Sequence, residues 1–329
     1  MTEIVFRSIL KDEMVSFMNV LTLSKSASDT YHGYQRTLSD FDSFLYDENL
    51  KEKKLDAAQI KRWIDGFNVR PSTKSGKLTH LRRFAGYLSS LGIETALPEM
   101  PRRTYDFSPY VFTKDEIAQI FEVADDLALL YPNSRRAAEF PVLLRMLYGC
   151  GLRLGEAIAL QWDDIDLCDG VITVKAAKNK KQRLVPMCDE LTRILKLYKA
   201  SPYFNIQNCN LLFKINNGSR CSKATHWSVF SRILCELGIK NSQNAKYRSH
   251  GPCIHSLRHT FTMHSLLKAE AEGRGFMDTV PFLSTYLGHS GLMETDKYLQ
   301  ARHDLYTQAH AIIEDYTRDV FPEEEKYGK

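Results

Sequence analysis

Tyr34, Leu38, Phe41 and Leu45 recur at spacings of three and four, with polar residues between them. That is the pattern of a helix with one apolar face. A second helix is predicted to start at Asp56, whose carboxylate can accept from the first free backbone N–H groups. It carries Ile60, Trp63, Ile64 and Phe67 on or near its buried side. A third is predicted from Thr73 to Leu91, with Leu78, Leu81, Ala85, Leu88 and Leu91 inward and Gly92 as its stop. Residues 1–97 therefore read as a helical domain. The rhythm then fails: LPEMPRRTYDFSPY holds three prolines and no periodicity, so residues 98–110 read as a linker.

The helical pattern resumes in a second domain, 111–329. Thr113 and Glu116 form a capping box ahead of Ile117, Ile120 and Phe121. Two helical pieces between 137 and 160 are broken at Gly-Cys-Gly. VITVK at 171–175 and RLVPM at 183–187 read as short strands joined by the turn AAKNKKQ, a hairpin with a basic tip. From residue 189 the pattern is helical again, apart from a short extended or loop region at NLLFKINNGS. HWSVFSRILCELGI is a helix with Gly238 near its end, and LYTQAHAIIEDYTRDV is amphipathic and followed by an acidic tail. The predicted fold class is mainly α with a small antiparallel β hairpin, in two domains: a helical first domain and a mixed α+β second one.

Composition narrows the setting. With 43% hydrophobic residues the chain can bury proper cores. No apolar run reaches the ~18 residues needed to cross a bilayer, so no membrane role is expected. The N-terminal stretch carries acids and lacks an apolar h-region, which argues against secretion. The seven cysteines are scattered without a C-x-x-C pair. That fits a reducing, cytoplasmic setting and gives no support to a structural zinc site.

The net charge of +4 says less than its distribution. RPSTKSGKLTHLRR holds Arg70, Lys74, Lys77, Arg82 and Arg83 without an acid, and VKAAKNKKQR holds Lys175, Lys178, Lys180, Lys181 and Arg183 without one. Arg102 and Arg103 add two cations in the linker. Such runs are candidate polyanion contacts, although either alone is equally a solvated surface.

Some of these cations stand beside residues with chemistry. Gly149 and Gly151 permit a tight turn, placing Arg153 at or near the start of a helix, where free N–H groups also favour an anion. Glu156, one turn on, is placed to orient Arg153, as an ordinary helix pair would be. A lysine on the hairpin tip could protonate a leaving oxygen if nearby positive charge lowered its pKa. In HSLRH, His255 and Arg258 lie three residues apart. The arginine offers a planar fork for two phosphate oxygens, and the histidine can take or give a proton near neutral pH. His259 makes a metal pair with His255 conceivable, but H-E-x-x-H and an obvious third ligand are both missing, so no metal is expected. His289 follows Gly288, and Tyr298 comes nine residues later. A phenol, with a pKa of ~10, becomes a useful nucleophile where positive charge stabilises the phenolate and a base is near.

The order G-L-R-x-x-E, lysine-tipped hairpin, H-x-L-R-H, L-G-H-S, then Tyr resembles the tyrosine recombinase (phage integrase) family. The resemblance covers about 110–310 and extends more weakly to the helical first domain, which looks like the family's core-binding domain. It implies that Arg153 and Arg258 clamp the phosphate, that His255 is the general base, and that His289 donates to a non-bridging oxygen. Tyr298 matches the nucleophile. Lys178 is the best match for the hairpin lysine, with Lys180 as the alternative because the hairpin is slightly longer than usual. The stretch from Arg258 to His289 is also longer than in compact members.

The activity so implied is site-specific cutting and rejoining of duplex DNA through a 3′-phosphotyrosine, without metal, ATP or other cofactor. DNA contacts are expected from Arg70, Lys74, Lys77, Arg82, Arg83, Arg102, Arg103, Lys180 and Lys181. The implied assembly is a homo-oligomer, a dimer on one site and a tetramer in the synapse, with the helix near 305–320 docking on a neighbouring subunit. The ending YLGHS…YL also resembles integrases carried by transposons. The rival readings are relaxation of supercoils in the manner of a type IB topoisomerase, and a DNA-binding protein with a dead site.

Overall fold

The computed structural model describes residues 5–24, 28–69, 71–100, 109–131, 134–175, 182–201, 209–214, 218–220, 222–240 and 251–288. The chain divides into two compact units, Met1–Asp106 and Phe107–Lys329.

The described part of the first unit is built on α1 (Lys11–Leu23), α2 (Ser28–Asp47), α3 (Ala57–Asp65) and α4 (Pro71–Ser90). Tyr34, Leu38, Phe41 and Leu45 are all buried on α2. The Asp56 carboxylate accepts from the Gln59 N–H at 2.7 Å, and the Gln59 side chain accepts from the Asp56 N–H at 2.8 Å. This capping box settles where α3 starts. The pattern did not delineate α1, which buries Met14, Phe17, Met18 and Leu21. Phe17 meets the rings of Tyr34 and Phe84 edge-on at 5.7 and 5.4 Å, a geometry that adds to the burial of each ring. One inward position is corrected: Leu91 is 52% exposed. α4 ends at Ser90 and Gly92 takes φ +81°, so the chain turns before Leu91 can continue the stripe. Ile93 packs on the core instead.

The second unit opens with α5 (Lys114–Leu130), whose first turn is closed by the predicted Thr113–Glu116 capping box. It continues with α6 (Arg135–Gly149), the short α7 (Leu154–Ala157), a 3₁₀ turn at Trp162–Asp164 and three strands, β1 (Ile165–Asp166), β2 (Val171–Lys175) and β3 (Gln182–Pro186). There follow α8 (Asp189–Ala200), α9 (Lys223–Glu236), α10 (Ser256–Ala271) and α11 (Phe276–Leu287). The strands form an antiparallel sheet in the order β1-β2-β3. The hairpin thus carries a third strand, whose two residues are too few to show a period. Gln182 pairs with Lys175, so it belongs to the strand and not to the turn.

Ile172, Val174 and Val185 turn one face of the sheet into the core, where they join α6, α9 and Leu257 of α10. Helix α6 is buried at Phe140, Val142, Leu143, Leu144, Met146 and Leu147, on more than one face, as befits a helix inside the core. A smaller apolar cluster of Met263, Leu266, Leu283 and Leu287 joins α10 to α11. The Phe112 N–H donates to the Thr260 hydroxyl at 2.9 Å, tying the start of the unit to α10. Among the described residues no helix is long and apolar enough to cross a membrane. The amphipathic stretch near 305–320 lies outside the described residues.

Candidate active site

Arg258 is 2% exposed, although arginine rarely enters an interior without partners. Its partners come from two distant segments. One guanidinium nitrogen donates to the Gly151 carbonyl at 2.7 Å and the other to the Leu287 carbonyl at 2.8 Å. Three elements therefore meet at this side chain: the turn after α6, the first turns of α10 and the C-terminal end of α11. Glycine at 151 suits that meeting. It sits at φ +58°, and a Cβ there would lie 2.4 Å from the Phe261 ring and 3.0 Å from Leu287.

Arg153 stands at the N-cap of α7 with extended backbone angles. It donates through Nη1 to Glu156 at 2.9 Å, and its backbone N–H donates to the other carboxylate oxygen at 2.9 Å. Longer contacts of 3.4 and 3.5 Å reach the Gly288 carbonyl. The predicted i,i+3 pair is thus present, but it is half of the arrangement. Arg183 on β3 lays its own fork on Glu156, Nη1 to Oε1 at 3.1 Å and Nη2 to Oε2 at 2.8 Å. Arg258 stands 3.9 Å from Oε2. Burial works to raise the Glu156 pKa, and the bonds and charge of Arg183 and Arg153 overcome it and hold the carboxylate at about 2. Glu156 is therefore an anion at any physiological pH, surrounded by three guanidinium groups.

The next two carbonyls belong to α11. Leu287 and Gly288 accept from Arg258 and Arg153, and they immediately precede His289 in the chain. Gly288 caps α11 in the left-handed region at φ +66°. A Cβ there would sit 3.0 Å from Nη1 and 3.2 Å from Cδ of Arg183. Glycine at this position lets the end of α11 close on the arginines.

His255 is exposed at the N-cap of α10, one turn before the buried Arg258. Its ring meets that of His259 edge-on at 4.7 Å. Among the described residues no group of three or more His, Cys, Asp or Glu could hold a metal ion. Lys178, Lys180, Lys181, His289 and Tyr298 lie outside the described residues, as do Arg70, Arg102 and Arg103 of the expected DNA contacts.

The remaining expected DNA contacts are on α4. Lys74 is half-buried. Lys77 pairs with Asp40 and lies over the Phe67 ring at 4.3 Å. Arg82 donates to the Pro98 carbonyl at 2.8 Å. Arg83 lies 5.9 Å from the Tyr34 ring. Lys77, Arg82 and Arg83 thus have contacts inside their own unit.

Sequence reasoning read Arg183 only as one charge of a basic run. A signal for its position was present. Side chains alternate along a strand, so Arg183 shares a face with Val185, which is fully buried. A cation at an inward-facing strand position needs a buried anion.

The phage integrase family matches residues 110–304, more than half of the chain. The protein y4rB of Sinorhizobium fredii (strain NGR234) is 28% identical over 85% of this chain and 90% of its own length. The tyrosine recombinase XerC of Staphylococcus carnosus is 26% identical over 90% of this chain and 96% of its own. The crystal structure of the XerH site-specific recombinase on a palindromic difH substrate, a post-cleavage complex, shares the fold. It aligns with a TM-score of 0.65 at 18% identity and covers 88% of this chain and 81% of that one. This chain belongs to the phage integrase family, the tyrosine recombinases.

Proposed function

We propose that this protein recombines DNA at specific sites by attack of Tyr298 on a phosphodiester. The observation that carries the proposal is the convergence of Arg153 and Arg258, 105 residues apart by subtraction of their numbers, on one carboxylate and on the two carbonyls before His289. Tyr298 would attack the phosphorus and form a 3′-phosphotyrosine, while the leaving 5′-oxygen takes a proton from Lys178, or from Lys180 on the same tip. His255 would accept the phenol proton. Arg153, Arg258 and His289 would hold the non-bridging oxygens, whose negative charge grows in the transition state. Catalysis of this kind is mainly positioning plus charge stabilisation. One phosphodiester is exchanged for another, so no ATP is needed, and a 5′-hydroxyl of a partner duplex reverses the step to join strands.

The substrate under this reading is duplex DNA in the cytoplasm. The α4 cations, with Arg70, Arg102, Arg103 and the hairpin lysines, would contact its phosphates, so binding should weaken steeply with salt. Two protomers would sit on a site with twofold symmetry and four in the synapse. The segment near 305–320 would link neighbours.

The test is a nicked suicide duplex bearing the flanks of the protein's own gene, resolved on a denaturing gel. Wild type should give a shifted, protease-sensitive band that Tyr298→Phe does not. If neither protein is trapped, the reading fails in favour of DNA binding without chemistry. If supercoiled plasmid is relaxed but two-site exchange never occurs, a topoisomerase-like activity replaces it.

A further inference from the structure

Glu156 is surrounded by more positive charge than it can satisfy, and that excess raises a question of allocation. A carboxylate has about four lone-pair sites. Among the described residues four donors fill them: Arg153 N, Arg153 Nη1, Arg183 Nη1 and Arg183 Nη2. Arg258 stands at 3.9 Å, beyond hydrogen-bonding range, and donates to the Gly151 and Leu287 carbonyls.

We propose that Arg183 is a positioning residue of the recombination site: it saturates Glu156 so that the carboxylate does not capture Arg258 and draw it from the place of the phosphate. Three observations support this. Both terminal nitrogens of Arg183 are spent on Glu156, and its Nε is buried with no hydrogen-bond partner among the described residues, so the hydrogen bonds described for this fork all go to Glu156. Its guanidinium lies against Gly288, where a Cβ would stand 3.0 Å away, so it touches the turn that leads to His289. It also sits on the strand that follows the lysine-bearing tip, facing Val174 across the ladder. Arg183 thus joins three segments that the reaction needs at once, although it has no place in the phosphate clamp itself.

A merely structural Arg183 would not govern which guanidinium Glu156 binds. Removing Arg183 frees two acceptor positions on Glu156, and the guanidinium 3.9 Å away is placed to fill them. Neutralising Glu156 in the same chain then removes the competitor. The inference rests on the proposed cleavage reaction for its kinetic consequence only.

The experiment compares wild type, Arg183→Met, Arg183→Met/Glu156→Gln and Arg183→Lys. In a crystal structure of Arg183→Met, Arg258 Nη1 should close on Glu156 Oε2 to hydrogen-bonding distance. A separation unchanged from 3.9 Å overturns the proposal. Should the methionine variant not fold, Arg183→Lys, which keeps the charge and loses the fork, gives the same readout. In single-turnover cleavage of the nicked duplex, Arg183→Met should be about 100-fold slower than wild type, the scale of a misplaced reacting group. Adding Glu156→Gln should restore about tenfold of that, the signature of coupled neighbours. A double variant no faster than Arg183→Met overturns the proposal. If wild type itself forms no covalent product, the recombinase reading fails, and the crystallographic distance alone decides for or against the role of Arg183.

Discussion

The second unit buries two carboxylates in opposite electrostatic states. Glu139 on α6 is 1% exposed and accepts from the Tyr198 hydroxyl and the Lys214 N–H, each at 3.1 Å. Burial dominates there and pushes its pKa up to about 7. Glu156 on α7 is also largely buried, yet the Arg183 fork, with the backbone N–H and one guanidinium nitrogen of Arg153, holds it at about 2. Neutral donors satisfy a carboxylate without making its charge cheap, whereas charge-assisted forks do both. Glu139 belongs to the core's internal bonding. Glu156 belongs to a site where positive charge is gathered and oriented.

Removing the cationic side gives the largest effect. Arg258→Ala would leave two buried carbonyls and part of a charge cluster without a donor, a cost of about 4 kcal/mol. Urea unfolding should show that loss, and cleavage should vanish. A variant as stable as wild type would mean that water replaces the guanidinium without penalty.

The next effect separates the two carboxylates by sign. The Glu156 pKa is depressed on folding, so its contribution of about 3 kcal/mol is present above about pH 4.5 and lost as pH falls through about 2. The Glu139 pKa is raised, so its contribution of similar size is present below about pH 4.5 and lost as pH rises through about 7. Unfolding measured from pH 2 to 8 should therefore show Glu156→Gln falling behind wild type as pH rises from 2, and Glu139→Gln gaining on it from 4.5 to 7. Parallel stability curves for the two variants would sink the contrast.

The smallest effect tests the turn that brings the site together. Gly151→Ala forces a side chain into the left-handed region and against Phe261, at a cost of about 2 kcal/mol. Cleavage should fall by more than that stability loss alone explains, because the Gly151 carbonyl also positions Arg258. Equal thermal midpoints for the variant and wild type would show that Phe261 yields freely.

Much of this molecule is legible from local signals. Asp56 and Thr113 cap their helices as their side chains suggest, and Tyr34, Leu38, Phe41 and Leu45 bury the stripe they spell. The hairpin stands where its two apolar runs place it, one residue earlier on its second strand. Leu91 shows where periodicity overreaches, since a glycine turn can end a stripe that spacing alone would extend. The two-residue strand β1 is too short to show a period, and α1 lies in the stretch that reads as helical although no stripe marks its bounds.

The chain alone determined the helices, their caps, the basic runs and the order in which arginines, lysines, histidines and tyrosine follow one another. Each of these rests on the backbone's own repeat or on neighbours a few residues apart. Only tertiary packing decided that Arg183 shares Glu156 with Arg153, and that Arg258 reaches a carbonyl 107 residues before it. Hydrogen-bond donors compete for acceptors in space, and the outcome depends on which segments the core presses together.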